Sequence, residues 1–548
     1  MTIRILLQCV LAVTAAGCSA PMSRAAQPEN NNLLAQAQWL YSRDDGQTWN
    51  AASPVIAGGT DCTVLAKTTF RVADPKQYFL LELTHGLPLP KNVSVKLNGQ
   101  DLPTPAAWME FETYPAIPAS LLVKGDNRLE VRCYCDNRPP RWRPERKMPD
   151  VTLTLARKLI AVKRQDAGLL SGALLGPPEA NAFSVSCRTR APLPVTLTLT
   201  PANPLFKPLR QASPAGLIHR FRVEPLDEQG RWSYSLAVDS PDLPAAPTPP
   251  HPVRFLPRGP NLRFVLAGDC RTNSEAWGIV AAAIGKARPQ FVVFSGDMTI
   301  NGDIWDRWED EFFKPAAGLL ATVPFYTIMG NHEGKGLIYD QLFFSPGSEK
   351  TYRNWRQQVG DVLLVGIDGQ EDWSQGSDNL DWLEAVLAMN QARFVFVFNH
   401  YPPYSSGWHG TEDEEGEPSE RECLQARENI LPLLGQYHVT AMICGHEHDY
   451  ERMEPPQTTV IIAGGGGAPL WNPAYDARAG VNRPVQNPYL KVFNSTLNFC
   501  VVEVKGDSCT LTAQKPDGQV LDTRTWKARP LPATHPAATT RPAAAPAQ

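Results

Sequence analysis

The sequence predicts a multidomain protein: two N-terminal β-sandwich domains followed by an α/β layered domain. Three observations predict it. Residues 34 to 250 hold alternating, β-rich runs; eight prolines punctuate the stretch Pro241 to Pro260; and from residue 262 short apolar strands alternate with helical segments. Side-chain alternation at period two marks half-buried strands, whereas strands interleaved with helices mark layered α/β structure. At 548 residues the chain exceeds one core, and a prior of about 150 residues per domain suggests three or four units.

The N-terminus reads as an address. Arg4 precedes the mainly apolar run Ile5–Ala16, which is followed by Gly17-Cys18. That run is too short for a lasting membrane helix, so residues 1–18 read as an export signal. Ala15-Ala16-Gly17-Cys18 resembles a bacterial lipobox. The resemblance implies an exported lipoprotein of the cell envelope, in the periplasm or on the outer surface, tethered to a membrane by lipid on Cys18. The alternative is a secreted chain cut before Gln27. Residues 19–33 read as a flexible tether, and 531–548, rich in Ala and Pro, as a disordered tail.

Composition narrows the partners. A net charge of -4 offers no basic excess for gripping a nucleic-acid backbone, so no stable nucleic-acid complex is expected. Eleven cysteines include Cys9 and Cys18, and the odd remainder argues against a complete disulfide framework. Cys133-Tyr134-Cys135 is a poor zinc spacing without two further ligands.

Within residues 34–150, Thr68–Val72, Tyr78–Leu83, Val93–Leu97 and Asn127–Val131 are strand runs, and Asn98-Gly99 is a turn signal. The segments VKLNGQ and KGDNRLEVR resemble galactose-binding-like jelly rolls. The resemblance implies a sandwich, with glycan binding as one reading and a packing or spacer role as the other. Residues 151–250 hold Ala182–Cys187, Pro194–Leu199, His219–Val223 and Trp232–Val238, expected to close a sandwich of the fibronectin or immunoglobulin kind.

The third unit spans residues 261–530. Its strands are expected at Leu262–Ala267, Phe291–Phe294, Phe325–Met329, Val362–Ile367, Phe394–Phe398, Thr440–Cys444 and Val460–Ala463. Ser377 opens a helix over Asn379–Ala388, and Ser419 with Glu422 reads as a capping box opening a helix to about Leu434. The even-spaced Trp305, Trp308 and Phe312 read as core.

Five of these strands end in potential ligands: Gly268-Asp269, Gly296-Asp297, Gly330-Asn331-His332-Glu333, Asn399-His400 and Gly445-His446-Glu447-His448. The carboxyl edge of an open α/β sheet is where ligands bind. Oxygen and imidazole donors without thiolate suit Fe, Mn or Zn. Six such ligands exceed what one open catalytic ion needs. Two divalent ions sharing a carboxylate fit better, and such a pair activates water and clamps a phosphoryl group.

The series GD…GD…GNHE…NH…GHEH resembles the calcineurin-like metallophosphoesterase superfamily, and HYPPYSSGWH with GHEHDYER is similar to its purple acid phosphatase branch. The resemblance implies that Asp297 bridges the metals, that Asp269 and His448 bind the first, and that Asn331, His400 and His446 bind the second. It gives His332 a contact with phosphate or the leaving oxygen, and His409 the place of a second phosphate-facing histidine. Two positions depart. Arg271 stands where the wider superfamily has the His of Asp-x-His, and Ile300 stands where the purple branch has its tyrosinate. A weak first site and a colourless, divalent-metal enzyme follow, unless Asn273 or water completes that site. Arg271 instead has the fork geometry to hold substrate phosphate, or serves as an ion pair.

The expected activity is hydrolysis of a phosphomonoester by metal-bound hydroxide attacking in line. A phosphodiesterase on the same core is the near alternative. A non-catalytic, glycan-binding surface lipoprotein with a degenerate hydrolase domain is the distant one. Gly464–Gly467 lacks the Gly-Lys-Ser/Thr ending of a phosphate loop and reads as a tight turn near the site. The acidic run Glu412–Glu417 reads as a solvated loop.

Overall fold

The computed structural model describes residues 32–529, apart from internal segments at 53–54, 58–61, 85–92, 103–112, 136–151, 155–157, 244–245, 349, 411–419 and 471–486. The expected leader, most of the tether, the acidic run, Ser419 and the C-terminal tail lie outside the described residues.

The N-terminal part is built from strands, as the period-two runs require. Trp39–Ser42, Cys62–Val72, Val93–Leu97 and Gly125–Cys135 belong to a six-stranded antiparallel sheet. Asn98 and Gly99, at φ 53° and 81°, make the tight reversal expected of Asn-Gly. Facing this sheet over a shared core are three strands, Tyr78–Thr84, Thr113–Pro118 and Lys158–Lys163. This three-stranded sheet is buried on both faces. Leu81 and Leu83 enter the core beneath the six-stranded sheet, while Leu80 and Val162 enter the next core along.

The expected division at residue 150 therefore shifts, because Lys158–Lys163 pairs with Tyr78–Thr84. The two short strands expected at Ala182–Cys187 and Pro194–Leu199 are one bent strand, Phe183–Pro201, whose register with Leu209–Val223 slips between Arg188 and Val195. In place of a separate two-sheet sandwich there is one five-stranded sheet, its core completed by Leu80 and Val162. Ser186 Oγ donates to the Leu342 carbonyl at 2.8 Å, and Tyr234 Oη to the Ala321 carbonyl at 2.8 Å, joining this sheet to the α/β unit. Buried Arg188 pairs with Glu309 at 3.0 Å and lies over the Phe313 ring.

The α/β unit has two sheets face to face. One runs Phe325–Thr327, Val292–Phe294, Asn261–Ala267, Phe499–Lys505, Ser508–Gln514 and Val520–Lys527 in spatial order. The other runs Trp355–Val359, Val362–Gly366, Phe394–Phe398, Ala441–Cys444, Thr459–Ala463, Tyr450–Met453 and Leu490–Asn494. Strands such as FVFVF are buried throughout because one face meets the opposite sheet and the other meets helices. Phe264 stacks on Phe291 at 5.1 Å and meets Phe396 edge-on at 5.9 Å between the sheets, each pair adding about 0.5–1.5 kcal/mol beyond area burial. The helix Asp378–Ala388 starts where expected, with Ser377 Oγ accepting from the Leu380 amide at 3.3 Å.

The first sheet contains three parallel strands and the second contains four. Their carboxyl ends supply the polar loops of the site.

Candidate metal centre

Asp269 follows the strand Asn261–Ala267, Asp297 follows Val292–Phe294, and Asn331 follows Phe325–Thr327. From the second sheet, His400 follows Phe394–Phe398, and His446 and His448 follow Ala441–Cys444. The chain bends sharply at these positions. Asp269 and Asp297 both have φ 57° and His446 has φ 72°, left-handed values that cost non-glycine residues about 1–3 kcal/mol each. Gly330 cannot be anything larger, since a Cβ would lie 2.2 Å from Asp297 Oδ1 and 2.8 Å from the His400 ring.

Buried carboxylates tie these loops together. Glu333 accepts from the amides of Gly330, Asp297 and Met298 at 2.6, 2.8 and 2.8 Å. Glu311 Oε2 accepts from Thr272 and Ile300 amides at 2.7 and 2.8 Å. Trp305, Trp308 and Phe312 are core, as expected, and Glu311 is the polar member of that same helix turned toward the loops. The tetraglycine turn lies beneath the site: a Cβ on Gly466 would meet the Gly268 carbonyl at 2.2 Å, and one on Gly464 would lie 3.0 Å from Asp269 Oδ2.

Four ligand atoms converge in one half of the centre. Asn331 Oδ1 lies 3.1 Å from His400 Nε2 and 3.1 Å from His446 Nδ1. The two ring nitrogens are 3.2 Å apart, and Asp297 Oδ1 is 3.3 Å from His400 Nε2. The other nitrogen of each ring is committed: His400 Nδ1 donates to the Ser295 carbonyl at 2.7 Å, and His446 Nε2 to Glu420 Oε2 at 2.8 Å. In the neutral rings, the nitrogens that face one another are therefore lone pairs, and both also face a carbonyl oxygen. Burial lowers the pKa of both rings, His446 to about 3, so they stay neutral. Acceptors packed against acceptors suit a cation among them. Donors at about 2.0–2.2 Å from a metal sit about 3–3.5 Å from each other, which is the spacing here. These four residues fit a divalent ion.

The other half is arranged differently. Asp269 Oδ1 accepts from the His446 amide at 2.9 Å, while its buried Oδ2 has no hydrogen-bond partner among the described residues. His448 Nδ1 donates to the Pro469 carbonyl at 2.7 Å, leaving Nε2 as the acceptor. Arg271 reaches into this half, with Nε 3.3 Å from Asp297 Oδ2 and Nη2 3.3 Å from His448 Nε2. Asn273 does not complete a site; its side chain caps the helix Ser274–Lys286 by accepting from Ala276. Burial and the charge of Asp297 push Asp269 well up. Burial also pushes Asp297 up, but His400, His332, His446 and Arg271 outweigh it and bring it down to about 2.

Two histidines stand at the rim. His332 Nδ1 donates to the Ile300 carbonyl at 2.7 Å, and its partly exposed Nε2 lies 3.9 Å from Asp297 Oδ2. His409 lies against His446, tilted by 38° with ring centres 3.7 Å apart, and pairs with Glu420. Glu420 thus orients two imidazoles at once. Sequence reasoning missed it, along with Glu311 and Glu333. The expected capping box gives way here: the helix Arg421–Gln425 has Glu420 at its N-cap, with no side-chain cap bond.

Comparison with known proteins agrees with this geometry. The calcineurin-like phosphoesterase family model matches residues 262–450. Tartrate-resistant acid phosphatase type 5 of Mus musculus is 25% identical over 327 residues, covering 52% of this chain and 93% of its own. A protein named as a probable glycerophosphodiester phosphodiesterase, from Arcobacter nitrofigilis, is 31% identical over 170 residues, covering 30% of this chain and 58% of its own. Among solved structures, a purple acid phosphatase from yellow lupin (Lupinus luteus) seeds superposes with a TM-score of 0.57. It has 15% identity and covers 86% of this chain and 94% of its own, a likeness of fold. Residues 262–450 are a calcineurin-like phosphoesterase domain with purple acid phosphatase homologues.

Proposed function

From a calcineurin-like phosphoesterase domain with this geometry, we propose a metal-dependent hydrolase of phosphomonoesters. The observation that carries the reading is the convergence of Asp297, Asn331, His400 and His446 on one point, each imidazole held by its other nitrogen. Divalent metal bound there supplies Lewis acidity that activates water and neutralises phosphoryl charge. The chain's own residues do the rest. Asp297 faces both halves of the centre, one oxygen toward each. Ser295 and Glu420 hold the imidazoles of His400 and His446 in one tautomer. His332, fixed through the Ile300 carbonyl, presents Nε2 at the rim, where, as an imidazolium with a proton on each nitrogen, it would contact phosphate and pass the Nε2 proton to the leaving oxygen. His409, over the His446 ring and paired with Glu420, is the second candidate group to face phosphate. Water then displaces the alcohol directly, with no covalent phosphoenzyme. A single turnover in labelled water should place the label in phosphate, and a trapped phosphoenzyme overturns this route.

The similarity to a probable glycerophosphodiester phosphodiesterase favours a second reading, diester hydrolysis on the same core. A panel of phosphomonoesters and phosphodiesters, with Mn, Zn and Fe added separately, decides between them. Metal-replete protein that turns over neither class, while being retained on glycan, supports the non-catalytic alternative. We also propose export and lipid attachment at Cys18, on the strength of Arg4, the apolar run and the lipobox resemblance. Incorporation of an alkynyl fatty acid that disappears in Cys18→Ala tests this; incorporation that persists contradicts it.

A further inference from the structure

We infer that the Arg271 guanidinium takes the place of the first metal ion, so that the centre holds one divalent ion beside a fixed organic cation. The inference rests on, and deepens, the phosphoesterase reading.

The guanidinium meets two of the three residues that the family pattern assigns to the first ion, Asp297 and His448. It donates through Nε to Asp297 Oδ2 and through Nη2 to His448 Nε2, each at 3.3 Å. Because His448 Nδ1 is spent on Pro469, Nε2 is the acceptor that a guanidinium needs. Donors and acceptors match without further protonation.

The side chain is also aimed by its backbone. The Arg271 amide donates to the Asp297 carbonyl at 3.2 Å, and Glu311 Oε2 binds the amides of the neighbouring Thr272 and of Ile300. Positions 271 and 300, from which a further ligand would enter, are therefore clamped against each other. The Arg271 side chain is only 14% exposed.

The remaining first-half ligands do not close on a point of their own. Among the described residues, ligand atoms of Asp269, Asp297 and His400 lie within 4.8 Å of one another, as do those of His409, Glu420 and His446. His448 joins neither group. Asp269 therefore offers a carboxylate oxygen toward Asp297 and His400, on the side that fits a metal. Arginine stays charged at any working pH and cannot make room by losing a proton. A second divalent ion would have to expel it, against like-charge repulsion in a buried site. A guanidinium so placed can still fork onto a phosphoryl oxygen.

The test loads wild type, Arg271→His and His448→Ala with Mn, removes loose metal by dialysis, and measures metal per chain and the Mn paramagnetic resonance spectrum. Thermal melts check folding. Wild type should hold one Mn with the uncoupled signal of an isolated ion. Arg271→His should hold two with a coupled signal, and His448→Ala should keep one. Two Mn in wild type, or loss of the ion in His448→Ala, overturns the inference. Should Arg271→His fail to fold, wild type and His448→Ala still decide. Ester turnover in the same wild-type sample separates the two readings. One Mn without turnover removes the phosphoesterase, whereas two Mn with turnover removes only the guanidinium substitution.

Discussion

The two halves of the centre draw on the same residue types and the same two sheet edges, yet they are built to different degrees. On the side of His400 and His446, each ring has one nitrogen fixed by a protein acceptor and the other aimed at a common point with Asn331 and Asp297. On the side of His448, the ring is equally well fixed, through Pro469, but a guanidinium meets it. Ligand identity is thus insufficient. The neighbours of each ligand decide whether donors converge on an ion or satisfy a side chain.

That contrast can be broken or sharpened by substitution. The largest effect should come from Asp297→Ala, since Asp297 serves both halves. It should lose several kcal/mol of transition-state stabilisation, about 10³-fold or more in kcat/KM, together with bound metal. His332→Ala removes no ligand and keeps the backbone amide that donates to Asp297 Oδ1, so it should cost about 10²-fold in kcat, the loss of an acid at the leaving oxygen, while leaving metal content intact. Glu420→Gln should weaken metal affinity by about 10–100-fold, read by competition with a chelating dye, because it frees the His446 ring.

A smaller effect concerns a contact between the two sheets, from Asp522 of one to Tyr450 and Arg452 of the other. Asp522 accepts from Tyr450 Oη at 2.8 Å and Arg452 Nε at 2.7 Å. Burial pushes its carboxyl up, but these partners prevail and hold it below the ordinary 3.8. Its stabilisation is complete above that value and is lost as pH falls through the lowered one. A plot of Tm against pH should show a shallower acid limb in Asp522→Asn. The smallest effect is expected at the surface pair Arg263–Glu503, where Glu503→Ala should change stability by less than about 1 kcal/mol and leave metal content unchanged.

Much of the site was legible in the sequence because each ligand follows a short apolar run, and such runs end at one sheet edge. The strand Phe394–Phe398 matches its expected bounds, and Ser377 caps its helix. What was not legible depended on distant partners. Glu311 and Glu333 act by accepting amides from loops far along the chain, and a lone Glu carries no mark of that. Glu420 sits at a helix start, where a carboxylate reads as a cap, yet it turns to His409 and His446. Asn273 erred in the opposite direction: its side chain was available as a ligand on paper and is consumed by a helix amide. In the N-terminal part the alternating runs were found, but not that Tyr78–Thr84 is buried on both faces and recruits Lys158–Lys163 across the expected boundary.

The central claim, phosphoester hydrolysis at the cluster of Asp297, Asn331, His400 and His446, is tested most directly by turnover of an aryl phosphomonoester after chelation and stepwise return of Mn, Zn or Fe. Wild type should lose activity on chelation and recover it with metal, while His400→Ala should recover none. Metal-replete wild type that fails to turn over the ester, or His400→Ala that recovers fully, would contradict the account.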